Sequence, residues 1–441
     1  MRFRASEVAE ITGGMLVGPD VEVDGASIDS RELRGGELFV PILGVRDGHD
    51  FIPAALEGGA RAYLSARDPV GGTAVVVSDP AAALTRLGLE ARRRLPHRVI
   101  GITGSVGKTS TKDLAAAALG ARHRTHASVR SFNNELGVPL TLVNAPDDTE
   151  AAVVEMGARG LGHIAELCVV GRPTIGIVTT VEMVHTQLFG ELAQVAEAKS
   201  ELVEALPPSG VAILNVHNPY VRAMAERTEA QVLWFGNGDG DVRADDIELD
   251  AELRPRFVLR TPWGAQELRL GVRGRHQVMN ALAAAAAALV CDVDLAEVAE
   301  GLAGASLSPW RMELKRTATG AQVLNDAYNA GPVSTEAALR SLAHLEARRR
   351  VALLGPMAEL GDEGPSEHRR IAALAASLGI EVVAVGACDY GPDVVHVSDV
   401  DHALEALGTL GPGDAVLVKG SRVAGLERAA HALLETSGPP A

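Results

Sequence analysis

The 441-residue chain predicts an α/β protein built on mainly parallel sheets. Three observations carry that expectation. The apolar run Arg98–Ile102 enters a glycine loop, Thr103-Gly-Ser-Val-Gly-Lys-Thr109, which opens a helix through Asp113–Leu119. Apolar segments of strand length then alternate with helical periods to the end of the chain. Hydrophobic residues are 47% and aromatics only 3%, which suits layers packed with small aliphatic side chains.

In chain order, residues 1–96 read as a first domain. Its strands are expected at Val21–Val23, Ala26–Arg31, Glu37–Ile42 and Val75–Val77, with helices near Ile52–Glu57 and over Ala81–Arg94. Leu95-Pro96 stops the last helix. Residues 97–310 form the second domain. Strands are expected at Ala152–Glu155, Thr174–Thr180, Val211–Asn215 and Val232–Phe235, with a helix over Glu191–Leu206. Val242–Leu270 alternates as antiparallel β, and an Ala-rich helix from His276 to Val290 closes the domain. Residues 311–441 alternate again. Strands are expected at Gln322–Asn325, Arg350–Leu354, Glu381–Val385 and Ala415–Val418. Helices are expected at Ser334–Ala347, Glu367–Leu378, Asp401–Leu407 and Val423–Glu435, with a disordered tail from Ser437.

The bulk numbers exclude some classes. A net charge of −16 makes a general nucleic-acid or anionic-membrane binder a poor reading. The three cysteines, Cys168, Cys291 and Cys388, are scattered without a CxxC, as in a reduced compartment. Met1–Glu10 is charged and lacks an apolar core, so no signal peptide is expected. The apolar stretch Ala281–Cys291 is too short to span a bilayer. A cytoplasmic protein is the expectation.

The glycine loop is the strongest chemical signal. Gly104 and Gly107 let backbone N–H groups close around phosphate oxygens where a Cβ would obstruct. The following helix adds its free N-terminal N–H groups. Lys108 can reach β- and γ-phosphates, and Thr109 can ligate Mg²⁺. Ser105 and Ser110 complete the candidate nucleotide contacts. Ile102 stands where the longer GxxxxGK[ST] pattern has its first glycine, so the loop is a shorter TGSxGKT variant.

Other candidates sit after expected strands, where α/β sheets place their sites. Glu155 ends an apolar strand and is a candidate metal ligand. His185 follows another and could complete a metal site. Lys199, among Glu197, Glu201 and Glu204, reads most simply as part of a solvated charged face. Asp326 ends a strand and suits ribose hydroxyls, with Tyr328 beside it. Arg311 at the domain junction can bring positive charge to a phosphate, or form an interdomain salt bridge. Lys419, Ser421 and Arg422 suit an anion. Asn133 and Asn134 form a polar loop with no role that the residues alone assign.

Taken together and in order, these segments resemble the Mur ligase family. The resemblance covers nearly the whole chain. It rests on Asp29–Arg31 with Gly44–Phe51, GITGSVGKTSTK, Ser131–Leu142, Glu155–Leu167, His185 with Phe189-Gly190, and Ala198–Leu202. It continues through Gly274–Ala286, Asp326–Pro332, Glu359–Glu363 and Leu417–Arg422. The resemblance implies three domains: an N-terminal one for a UDP-sugar, a central P-loop ATPase, and a C-terminal Rossmann-like one for the incoming amino substrate. The DNPR signature of the branch that adds a diamino residue is absent. The patterns at Asp326–Asn329 and Leu417–Arg422 favour the branch that joins D-alanyl-D-alanine to UDP-N-acetylmuramoyl-tripeptide through an acyl phosphate.

The resemblance also implies roles. Lys108, Lys199, His185 and Arg311 would serve catalysis. Thr109, Glu155, His185 and a carbamylated Lys199 would hold Mg²⁺. His276 and Asn280 would lie on the adenine side of ATP, Asp326 and Tyr328 at the ribose, and Arg311 at the phosphates. Ser30 and Arg31 would contact the UDP-sugar, and Asn133 and Asn134 the bound peptide or phosphates. Departures from the family pattern fall at Thr180, Glu182, Gly331 and Pro356. A monomer without nucleic-acid or membrane partners is expected. A ligase for a different acid or amine, and a non-catalytic nucleotide-binding relative, remain alternatives.

Overall fold

The computed structural model describes residues 1–182 and 191–435. His185, Phe189, Gly190 and the tail from Ser437 therefore lie outside the described residues. Among those described, three larger sheets follow one another along the chain.

The first sheet orders Met15–Val17, Ala74–Val76, Ala62–Ser65, Leu38–Phe39 and Ala26–Ser27, parallel except at Met15–Val17. The strands at Arg2–Arg4, Met15–Val17 and Ala62–Ser65 and the helix Ala5–Thr12 were not foreseen, since each is too short for periodicity to register. The expected strand at Ala26–Arg31 stops after two residues, because the Ser27 hydroxyl and the Asp29 carboxylate bond to neighbouring backbone and fold a turn. The helix Pro80–Arg94 starts where Asp79 accepts hydrogen bonds from the Ala81 and Ala82 N–H groups, with Pro80 pre-set for the first helical position.

The second sheet has nine strands among the described residues. At its centre, β1 (Val99–Thr103) leads into α1 (Lys108–Gly120). It lies between β2 (Ala151–Glu155) and β3 (Ile175–Val178), all parallel. The helix α2 (Leu192–Glu204) covers one face, and α3 (Gln277–Val290) the other. Every residue of β1 is buried, as a parallel strand covered on both faces requires. Ala283–Ala288 of α3 are all fully buried, and their small side chains let α3 lie close against α1. Gln231–Asn237, Val242–Leu249, Pro255–Thr261 and Gly264–Arg269 extend the same sheet. The first two pair in parallel and the last three antiparallel. The expected antiparallel segment thus continues the central sheet. α3 does not close this region: Leu295–Ala303 follows, started by an Asp294–Glu297 capping box.

The third sheet runs Glu313–Arg316, β4 (Gln322–Asn325), Asp414–Lys419, β5 (Arg349–Leu354), Glu381–Val385 and Val395–Val397, all parallel but the first. The helix α4 (Gly364–Ser377) packs against it, and the strand Asp414–Lys419 is β6. The last helix spans Glu427–Glu435 and does not begin at Val423. Gly425, at φ +61°, breaks the chain out of helical geometry.

One hydrophobic core joins the first and second sheets. Leu84, Leu87 and Phe3 pack in it with Val138, Leu142, Val154 and Val178. Asn144 adds a polar link, accepting from the Ala26 N–H at 2.8 Å and donating to its carbonyl at 2.9 Å. The third sheet has cores almost wholly its own. No helix among the described residues is long and apolar enough to cross a membrane.

Candidate active site

The carboxyl ends of β1, β2 and β3 open on a cleft of about 670 Å³ that the third sheet faces from the other side. The glycine loop forms its floor. Gly104 takes φ +146° and packs against Thr179, so an added Cβ would fall inside the Thr179 hydroxyl and 3.1 Å from its Cβ. Gly107, at φ +89°, would place a Cβ 2.5 Å from Asn280 Oδ1. Both positions require glycine. Thr179 fastens the loop by donating to the Val106 carbonyl at 2.6 Å, and the Ser105 N–H donates to the Thr180 carbonyl at 2.8 Å. Lys108 bends back to donate to the Gly104 carbonyl at 2.7 Å. Burial lowers its pKa, and the charge of Glu155 opposes that shift. Thr109 and Ser110 are buried at the helix start.

Glu155 is the last residue of β2, in register with Ile102 of β1. It is 1% exposed. One carboxylate oxygen accepts from Asn133 Nδ2 at 2.8 Å. The other, Oε2, is buried with no hydrogen-bond partner among the described residues. An anionic oxygen left bare in this way is costly unless a cation or donor meets it. Asn134 is spent on local structure, accepting from the Gly137 N–H at 2.9 Å.

Lys199, read from sequence as part of a solvated face, is 3% exposed on α2 and lines the cleft. Burial drives its pKa well below the usual lysine range, and the positive charge of Lys108 adds to that. Among the described residues, no group of three or more His, Cys, Asp or Glu could hold a metal.

The third sheet supplies the opposite wall. The Arg311 guanidinium lies 4.0 Å over the Tyr328 ring, and its Nε is buried without a hydrogen-bond partner among the described residues. The Tyr328 hydroxyl meets that of Ser131, linking the two walls. Asp326 ends β4. Its carboxylate accepts from Lys419 Nζ at 2.5 Å and from the Met312 N–H at 3.1 Å. Lys419 also donates to the Asn329 carbonyl at 2.9 Å. His276 and Asn280 close the near end. Burial pushes the His276 imidazole down to about 4, against the pull of Asp326. Gln277 bridges the pair, donating to His276 Nε2 at 3.1 Å and accepting from Asn280 Nδ2 at 2.8 Å.

The comparisons with known proteins follow the same division of the chain. Residues 22–93 match the family described as "Mur ligase family, catalytic domain", residues 102–288 "Mur ligase middle domain", and residues 310–422 "Mur ligase, glutamate ligase domain". The chain belongs to the Mur ligase family. It is 39% identical to the UDP-N-acetylmuramoyl-tripeptide–D-alanyl-D-alanine ligase of Mycobacterium tuberculosis, over 98% of each chain. Its fold matches the crystal structure of MurF from Acinetobacter baumannii with a TM-score of 0.87 and 29% identity, covering 99% of each chain. It also matches the MurF ligase of Thermotoga maritima in complex with ADP, with a TM-score of 0.79 and 26% identity over 94% of this chain and 97% of that one.

Five described sequence candidates of this Mur ligase are not in the cleft lining: Gly104, which packs beneath the loop against Thr179, and Ser30, Arg31, Ser421 and Arg422. Arg31 is exposed and paired with Asp29, whose carboxylate is held down to about 2 mainly by that guanidinium. Ser421 is buried, donating to the Ala330 carbonyl at 3.2 Å and accepting from the Ala358 N–H at 2.8 Å. Arg422 stacks on Trp310 and pairs with Glu427 at 2.8 Å. Sequence reasoning passed over Thr179 and Asn215, whose amide holds the Thr179 carbonyl at 2.8 Å. It also passed over Lys112, whose buried ammonium ties α1 to the Ser128 and Arg130 carbonyls at 2.7 and 2.9 Å. The available signal for Lys112 was its place one turn beyond Lys108. At the departures in the loop after β3, Thr180 donates to the Glu182 carboxylate at 2.8 Å, and Asn218 donates to Thr180 at 3.1 Å.

Proposed function

We propose that this Mur ligase joins D-alanyl-D-alanine to UDP-N-acetylmuramoyl-tripeptide in the cytoplasm, with ATP converted to ADP and phosphate. The observation that carries the reading is the whole-length similarity to the M. tuberculosis ligase of that name. The cleft between the second and third sheets is consistent with it, and the ADP complex of the T. maritima relative supports the nucleotide. Residues 1–96 are assigned to the UDP-sugar, 97–310 to ATP and 311–441 to the incoming amine.

In this reading the N–H groups at the start of α1 hold phosphate oxygens, and Lys108 leaves the Gly104 carbonyl for the β- and γ-phosphates. Arg311 adds charge from the opposite wall as the γ-phosphoryl group moves to the tripeptide's terminal carboxylate. The incoming ammonium loses a proton to solvent, and the neutral amine nitrogen attacks the acyl carbon. The amide C–N bond forms as phosphate leaves with the C–O bond pair and the nitrogen gives up a second proton. His276 and Asn280 are assigned to the adenine side, and Asp326 and Tyr328 to the ribose side. Asn133 and Asn134 are assigned to the peptide side, and Ser30 and Arg31 to the UDP-sugar. Lys419 and Ser421 are assigned to the amine side through the loops they hold together, with Arg422 beside them.

Magnesium is assigned to Thr109, Glu155, His185 and a carbamate on Lys199. The bare Glu155 Oε2 fits a cation, and the desolvated Lys199 fits a carbamate, because only a neutral amine adds CO₂. When bound, the ion neutralises charge on the transferring phosphoryl oxygens.

Phosphate release with ATP and Mg²⁺, measured with both substrates and with each omitted, tests the reading, with mass analysis of the product. Release that needs both and yields the pentapeptide supports it. ATP binding without turnover on this pair would point to a different acid or amine.

A further inference from the structure

The loop after β5, Gly355–Leu360, enters the cleft with Ala358, Glu359 and Leu360 among its lining residues. Glu359 takes φ +69°, a left-handed conformation that a glutamate adopts only when its surroundings enforce it. A polar network from outside the cleft holds the residues that lead into Glu359. His368, 4% exposed on α4, accepts from the Met357 N–H through Nε2 at 2.9 Å. Its Nδ1 donates to the Gly364 carbonyl at 2.6 Å. Tyr390 lies edge-on to that imidazole, with centroids 4.7 Å apart, and donates from its hydroxyl to the Gly355 carbonyl at 2.7 Å. The Ser421 hydroxyl takes the Ala358 N–H at 2.8 Å. Each residue from Gly355 to Ala358 is thus tied by backbone or side chain, the Pro356 carbonyl by the Ser421 N–H at 3.0 Å.

We propose that Glu359 receives the ammonium of the incoming amino substrate, and that His368 is the positioning residue that fixes the loop carrying it. The inference rests on the ligase reading above. Two chemical demands meet at this position. The attacking nitrogen must arrive beside the acyl phosphate, whose phosphoryl group Lys108 holds. A free amino acid or peptide amine is an ammonium at neutral pH, and a carboxylate at the cleft wall is the group that draws it in. Glu359 and Lys108 line the same cleft, and the negative charge of Glu359 favours the lysine ammonium. His368 touches no substrate in this arrangement. Its two ring nitrogens have different partners, which makes its role separable. Glutamine places an amide where Nε2 is and can still accept from Met357, whereas asparagine reaches only the Nδ1 position.

The test is steady-state kinetics on the full-length protein with D-alanyl-D-alanine as the varied amine, alongside ADP binding as a check of folding. Turnover by the unmodified protein establishes the ligase reading independently, so its absence would refute that reading and not this one. Glu359→Gln should raise KM for the dipeptide about tenfold or more, the range of a charge-assisted hydrogen bond, with KM for ATP unchanged. His368→Asn should raise the dipeptide KM in the same direction, while His368→Gln stays close to the unmodified protein. An unchanged dipeptide KM in Glu359→Gln overturns the ammonium assignment. Equal effects of the Asn and Gln variants at position 368, or an equal rise in KM for ATP, overturn the positioning role.

Discussion

Replacing Gly104 by alanine tests the geometry of the phosphate loop at its tightest point. At φ +146° an L side chain is strained, which costs about 1–3 kcal/mol. The new Cβ would also meet the Thr179 hydroxyl and displace it from the Val106 carbonyl, its partner at 2.6 Å. Leaving that buried pair unmade costs roughly a further 1 kcal/mol. The expected loss of stability is therefore about 2–4 kcal/mol, a large share of what a typical domain possesses. Thr179 also takes the Asn215 amide on its carbonyl, so the displacement should reach the loop's nucleotide contacts and weaken ADP binding. Urea denaturation with and without ADP reads both effects. Gly120→Ala is the control, since a Cβ there meets nothing within 4 Å at the end of α1, and it should be neutral or slightly stabilising. If Gly104→Ala unfolds at the same urea concentration as the unmodified protein and binds ADP equally well, the argument from this loop is wrong.

Lys108→Ala should lower turnover by about a hundredfold or more, as for loss of one preorganised transition-state contact, while the urea midpoint stays near that of the unmodified protein. Normal phosphate release would remove Lys108 from the mechanism. Lys199→Ala should lose most activity, and added formate or acetate should restore part of it by supplying the missing carboxylate; full activity without rescue would end the carbamate assignment. His276 gives a pH signature. Its imidazole sits at about 4 in the folded chain against about 6.5 unfolded, so the unfolded chain takes up the proton first as pH falls. Its contribution is whole above pH 6.5 and is lost progressively toward pH 4, up to about 3 kcal/mol. Urea midpoints at pH 7.5, 5.5 and 4.5 should converge in His276→Asn relative to the unmodified protein, and parallel curves would count against the buried neutral imidazole.

Where one face of a strand or helix must be buried, the sequence was a good guide. Val211–Asn215, Gln322–Asn325 and Glu381–Val385 lie where their apolar runs put them. The phosphate loop was equally clear, because its glycines answer to backbone geometry that no other residue meets. The strands Met15–Val17 and Ala62–Ser65 of the first sheet were not legible, since such short strands owe their existence to the neighbours they pair with rather than to any pattern of their own. Lys199 was misread for a related reason. Its neighbours Glu197, Glu201 and Glu204 give α2 a charged stripe, but the lysine points to the other side, toward Lys108. Lys419 ends β6 and Ser421 follows it, as a carboxyl-end site suggests, yet their polar atoms join the loops after β4 and β5. No local pattern announces such pairings, which span 63 to 93 residues.

The shared core of the first two sheets changes what can be taken apart. Leu84 and Leu87 belong to the same packed cluster as Val154 and Val178, so a chain beginning at residue 97 would present that apolar surface to water and should be prone to aggregate. The third sheet's main cluster borrows Leu253 from the neighbouring sheet and otherwise draws on its own residues. In thermal unfolding the first two sheets should melt as one cooperative unit. The third is the part a protein engineer can transplant between relatives, provided the residue at 253 travels with it.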